Sequence, residues 1–133
     1  MEEFKLKTFK MGERTQIGDN FMTVNNIEDI PISKGNEPHQ GNKFVVIDVT
    51  IENQGTKPIK YKGGEFVIRD LEGYTYDQPL ISLRYPYFIS GLLPPNCKKR
   101  GWITFEVPEL ISELELIYHP LWWNGESIIV KLK

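Results

Sequence analysis

The sequence predicts an all-β chain, an antiparallel sandwich or barrel of about six to eight short strands. Three observations predict it. Apolar residues alternate with period two in several short runs, and Gly-, Pro- and Asn-containing turns separate those runs. No longer stretch carries the i, i+3, i+4, i+7 spacing of an amphipathic helix. With 133 residues the chain has material for one hydrophobic core. All of it, residues 1–133, is therefore taken as a single domain, with residues 1–12 as a lead-in.

The first strand signal is Asn20–Ile27, NFMTVNNI, with Met22 and Val24 inward. The clearest is Lys43–Asn53, KFVVIDVTIEN, where Val45, Ile47, Val49 and Ile51 form an aliphatic core face against Phe44, Val46, Asp48 and Thr50. Asn53 to Pro58 then supplies a turn, since Gly55 tolerates positive φ and Pro58 cannot donate to a ladder. Glu65–Asp70 is the next strand, with Phe66 and Ile68 on one face. Asp70-Leu71-Glu72-Gly73 turns it back toward Tyr74 and Tyr76 as a hairpin. Residues 79–89, PLISLRYPYFI, approach a helical pattern, but Pro86 interrupts it. Gly101–Val107 places Ile103, Phe105 and Val107 on one face, and Pro108 ends it. Residues 108–113, PELISE, suit a single helical turn with proline at its start. Leu114–Tyr118 and Ser127–Leu132 are two more alternating runs, and Asn124-Gly125 between them is a hairpin signal.

Sixteen Lys and Arg against eighteen Asp and Glu, scattered along the chain, leave no concentrated basic surface for nucleic acid or anionic membrane. Lys98, Lys99 and Arg100 form a short basic cluster that suits a solvated strand edge. Cys97 is the single cysteine, so an intramolecular disulfide, a zinc cluster and a CxxC motif are excluded. The N-terminus has no signal-peptide core and nowhere do about twenty apolar residues run together, so the expectation is a soluble chain without a transmembrane segment.

Catalytic constellations are missing too. Neither Cys97 nor Ser90-Gly91 has the surroundings of a nucleophile. Gly63-Gly64 lacks the lysine and helix of a phosphate loop. Asp70–Gly73 lacks the alternating ligands of a calcium loop. Glu113 and Glu115 read as the wet face of a strand. His39 and His119, the two histidines, have no motif around them. No enzyme activity, cofactor or metal is expected.

Four segments taken in order carry a family resemblance: GNKFVVIDVTIENQGTKPI at 41–59, FVIRDLEGYTY at 66–76, LLPPNCKKRGWITFEVPE at 92–109 and LELIYHP at 114–120. Together they resemble the telokin-like, immunoglobulin-fold domains of unknown function related to the immunoprotective extracellular antigens of bacteria, over roughly residues 13–133. The resemblance implies an immunoglobulin-like antiparallel β-sandwich of about seven to eight strands with at most one short helical turn. It also implies an extracellular or cell-envelope setting, on secreted proteins and lipoproteins of bacteria and archaea, and brings no active-site residues. Two departures stand out. The chain shows neither the signal nor the lipid-attachment cysteine, and a native start at Met1 would instead mean the cytoplasm. Asn96-Cys97 stands where a glycine usually opens the strand.

The candidate binding residues are aromatic: Tyr85 and Tyr87 beside Pro86, and Trp122 and Trp123 beside His119. Such rings form a rim platform for a protein, peptide or glycan partner, or they cap the ends of the core, as large aromatics more often do. The leading expectation is a non-enzymatic binding module, monomeric or weakly dimeric. A structural domain acting through an edge strand or a homodimer face is the alternative, and an enzyme with an unfamiliar site comes last.

Overall fold

The computed structural model describes residues 8–132. Eleven strands follow one another: β1 (Thr8–Lys10), β2 (Thr15–Ile17), β3 (Asn20–Ile30), β4 (Asn42–Asn53), β5 (Ile59–Lys62), β6 (Phe66–Arg69), β7 (Thr75–Tyr76), β8 (Ser90–Leu93), β9 (Cys97–Pro108), β10 (Glu115–Tyr118) and β11 (Ile128–Lys131). They form a five-stranded sheet in the order β1-β11-β10-β6-β7, a four-stranded sheet in the order β2-β3-β4-β9, and a ribbon of β5 with β8. The fold is a β-sandwich. Its strands exceed the expected seven to eight because β1, β2, β5 and β8 hold only three or four residues each, too short for alternation to reveal. One ladder also departs from the antiparallel expectation, as β1 runs parallel to β11. Of the lead-in, residues 8–10 make this strand and Phe9 packs against the core, while residues 1–7 lie outside the described residues.

The two sheets face each other through the alternating residues. Met22 and Val24 of β3, Val45, Ile47, Val49 and Ile51 of β4, and Ile103, Phe105 and Val107 of β9 meet Phe66 and Ile68 of β6, Leu116 and Tyr118 of β10, and Ile128 and Val130 of β11. Phe66 stacks on Tyr118 at 4.4 Å between ring centroids and meets Phe88 edge-on at 5.4 Å. The single helical turn among the described residues is a 3-10 turn at Gly63–Glu65, where Glu65 Oε1 accepts the Lys62 N–H at 2.9 Å. Pro108 closes β9 and residues 109–113 turn without forming a helix, leaving Glu113 outside β10.

The other face of β4 is covered as well: Phe44, Val46 and Asp48 are all buried. The cover is the irregular segment 77–89, which follows the edge of β9. Glu106 donates its N–H to Asp77 O, Trp102 to Pro86 O at 2.8 Å, and Phe88 to Trp102 O at 3.2 Å. Leu83 N–H reaches Thr104 Oγ1, and Arg84 pairs with Glu28 and stands over the Trp102 ring. The interrupted pattern of residues 79–89 is thus a strap across an edge that would otherwise be open to pairing.

Farther along the same face two members of the short basic cluster pair with carboxylates of β4. Arg100 holds Asp48 through both guanidinium arms at 2.6–3.1 Å, and Lys98 reaches Glu52 at 3.7 Å. Arg14 grips Glu52 bidentately at 2.9 and 3.0 Å and lies over Phe21. Its hydrogen bonds hold the Glu52 carboxyl below the usual carboxylate range. In the Asp70 turn the same direction arises chiefly from the Tyr76 hydroxyl, which donates at 2.8 Å, with the backbone N–H groups of Tyr74 and Glu72 adding to it. Both carboxylates are ionised more readily folded than unfolded, so their stabilisation is complete above the unfolded pKa and fades as pH falls through the depressed folded values. Thermal unfolding followed from neutral to acid pH should show stability falling below about pH 5, and less steeply in Glu52→Gln.

At the β8–β9 turn, Asn96 takes φ +63°, the left-handed conformation a glycine would supply, and donates its N–H to Asn53 O at 2.7 Å. Asparagine tolerates that conformation better than other residues with a Cβ. The departure from the family pattern therefore keeps a turn of the kind glycine would make.

Candidate functional site

A groove of about 850 Å³ lies beside the β5–β8 ribbon. Pro58 to Lys62 and Ser90 to Leu92 line it from the ribbon, and Leu121, Trp122 and Glu65 line it from the loop after β10 and the 3-10 turn. Alternation explains the ribbon wall. Ile59 and Tyr61 pack against the core and Leu93 is buried, so Lys60 and Lys62 project outward. The register pairs Lys60 with Leu92 and Lys62 with Ser90 on that same face. Leu92 and Leu121 are 60% and 76% exposed, so the groove carries apolar surface to solvent.

Glu65 fastens the two walls together. Its Oε2 accepts the Leu121 N–H at 2.6 Å, its Oε1 takes Lys62 N–H, and its backbone carbonyl accepts His119 N–H. Both carboxylate oxygens are thus engaged by backbone donors. Neither Lys60 nor Lys62 has a carboxylate within ion-pair distance among the described residues. Burial, followed by the negative charge of Glu65, raises the Tyr118 hydroxyl above the ordinary phenol range, which keeps it protonated.

The aromatic candidates fall into two places. Trp122 forms part of the groove wall and packs on the core, its Nε1 buried without a hydrogen-bond partner among the described residues. Trp123 stands edge-on to it at 6.3 Å and also packs on the core. Its indole lies directly on Gly125, where any Cβ would collide with the ring, and its Nε1 donates to Glu126 O. Asn124-Gly125 accordingly sits within a longer loop, not a two-residue hairpin, because the glycine makes room for tryptophan. His119 is half-buried, its ring nitrogens hydrogen-bonded to Ser127 Oγ and Trp123 O at 2.9 Å each, so it braces the loop. Tyr85 and Tyr87 meet edge-on at 5.5 Å on the strap, 79% and 42% exposed, and do not line the groove.

Tyr61, Lys60, Leu92 and Leu121 were not among the sequence candidates. The available signal was the Lys60-Tyr61-Lys62 alternation after Pro58, with Leu121 next to the tryptophans. Elsewhere, His39 Nδ1 meets Glu106 Oε2 at 2.7 Å beside Asn42, one carboxylate with one histidine. No three His, Cys, Asp or Glu side chains gather as metal ligands among the described residues. Cys97 is half-buried at the start of β9.

A family model described as "Domain of unknown function (DUF4352)" matches residues 9–128. No curated protein matches the sequence at a significant level. Among solved structures, the chain is similar to the yjhA protein of Bacillus subtilis (TM-score 0.74, 23% identity, covering 94% of this chain and 99% of that one). It is also similar to the secreted protein MPT63 of Mycobacterium tuberculosis (TM-score 0.71, 17% identity, 97% and 99% covered). An uncharacterized β-sandwich protein of Clostridium difficile is similar at TM-score 0.62 and 15% identity, with 100% and 99% covered. At these identities the likeness is one of fold.

Proposed function

We propose a role from the premise that the chain belongs to the DUF4352 family, domains of unknown function: it is a non-enzymatic binding module that takes a partner in the groove between the β5–β8 ribbon and Trp122. The carrying observation is the groove itself, a concavity of about 850 Å³ with Leu92 and Leu121 exposed at its walls and, along it, Lys60 and Lys62, which have no ion-pair partner among the described residues. Apolar surface bordered by charge is the composition of an interaction site. The sandwich is of the immunoglobulin-like kind and acts at or outside the cell envelope. The segments quoted above and the likeness in fold to a secreted mycobacterial protein support this.

The test is affinity capture from envelope and extracellular fractions with the wild type and with Leu121→Asp. Leu121 is the better position than Trp122, whose indole supports the core. We expect partner recovery to fall at least about fivefold, with Tm within about 2 °C because the side chain is solvent-facing. Equal recovery by both proteins would sink the groove reading.

A further inference from the structure

We infer that the groove's occupant is an extended acidic peptide that adds a strand to the free edge of β5, a reading that rests on the groove being the binding site. Backbone geometry is the first support. Gly63 N–H donates to Ile89 O at 2.7 Å, and this fixes the phase of the β5–β8 ladder. Hydrogen-bonded pairs alternate in an antiparallel ladder, so Tyr61 pairs with Gly91 and Ile59 with Leu93. The peptide groups of Lys60 and Lys62 then point to the other edge, which pairs with no strand among the described residues. Lys62 N–H is used by Glu65. Lys60 keeps an outward donor and acceptor, and the Lys62 carbonyl adds a second acceptor.

Charge is the second support. An added strand places alternate side chains beside Lys60 and Lys62, where carboxylates are favoured. The residues between them point the other way, to the side of Ile59 and Tyr61 that packs toward the core, and are favoured when apolar. The same charges disfavour a second copy of this chain: pairing β5 with itself sets lysines against lysines, and like charges directly opposite are destabilising. Backbone pairing for affinity with side-chain pockets for selection is the logic of strand addition.

The probe is a synthetic peptide of about seven residues alternating glutamate and valine, titrated into the protein while backbone amide resonances are followed. Saturable shifts should map to residues 59–62 and to Leu121 and Trp122. Affinity should drop about tenfold or more with K60E/K62E, with a lysine–valine peptide, and with a glutamate–valine peptide N-methylated at alternate amides. Shifts elsewhere, or N-methylated and parent peptides binding alike, would overturn the proposal. So would a uronic-acid oligosaccharide shifting the same amides more tightly than the peptide, or a dimer in sedimentation that K60E/K62E dissolves. Should the peptide fail while Leu121→Asp still abolishes capture, the groove remains the site and only its occupant is wrong. Should Leu121→Asp capture normally, the site itself is wrong.

Discussion

Replacing Asn53 by leucine is expected to lower stability by about 3 kcal/mol, although leucine has the same number and branching of side-chain heavy atoms as asparagine. Asn53 is fully buried at the end of β4 and acts as a four-way fastener. Its Nδ2 donates to Lys57 O at 2.8 Å and Leu93 O at 2.9 Å, its Oδ1 accepts Gly55 N–H at 3.0 Å, and its backbone carbonyl accepts Asn96 N–H. Leucine keeps the last bond and forfeits the other three. Each buried polar group left without a partner costs about 1–3 kcal/mol, partly offset by the leucine's apolar burial. Chemical denaturation should report the loss as a lower midpoint at unchanged slope. A loss below about 0.5 kcal/mol would mean that water replaces the amide without penalty. Because Leu93 and Lys57 bracket the ribbon, amide exchange in β5 and β8 should accelerate more than in β3.

Gly101→Val is expected to cost about 2–3 kcal/mol, against almost nothing for Gly64→Ala. A Cβ at Gly101 would stand 2.7 Å from Phe88 N and 3.0 Å from Phe88 Cα, while one at Gly64 would meet no atom within 4 Å. Neither glycine has positive φ, so the contrast isolates contact from backbone strain. Valine is otherwise favourable in a strand. The clash falls on backbone, which cannot rotate away, and the displaced residue is Phe88, whose ring meets both Tyr61 and Phe66. Lifting it should detach the strap from β9 and loosen the core together, visible as lowered Tm and new proteolytic cleavage within residues 77–89.

The long strands were legible because burial on one face writes period two into the chain. In β3, β4 and β9 the residues expected inward, from Met22 to Val107, are the core. Burial of Phe44 and Val46 was not legible as such. Their cover comes from residues 77–89, whose contacts run through backbone atoms and a few polar side chains and leave no periodic trace. The ribbon escaped for a related reason. IKYK is short, and SGLL gains its strand character only from pairing with it. Of the groove, sequence singled out Trp122, since local aromatic clustering is visible in one dimension. Its opposing wall lies far back in the chain, brought near through a Glu65 carboxylate bound to backbone N–H groups, a link with no side-chain partner to search for.

The parallel pairing of β1 with β11 sets how the domain would carry tension. Thr8 lies opposite Ile129 and Lys10 opposite Lys131, so a pull on the chain before Thr8 and another after Lys131 drag the two strands past each other lengthwise. The ladder between them is then sheared, with its hydrogen bonds loaded together. An antiparallel pair of terminal strands under the same pull would peel open one bond at a time.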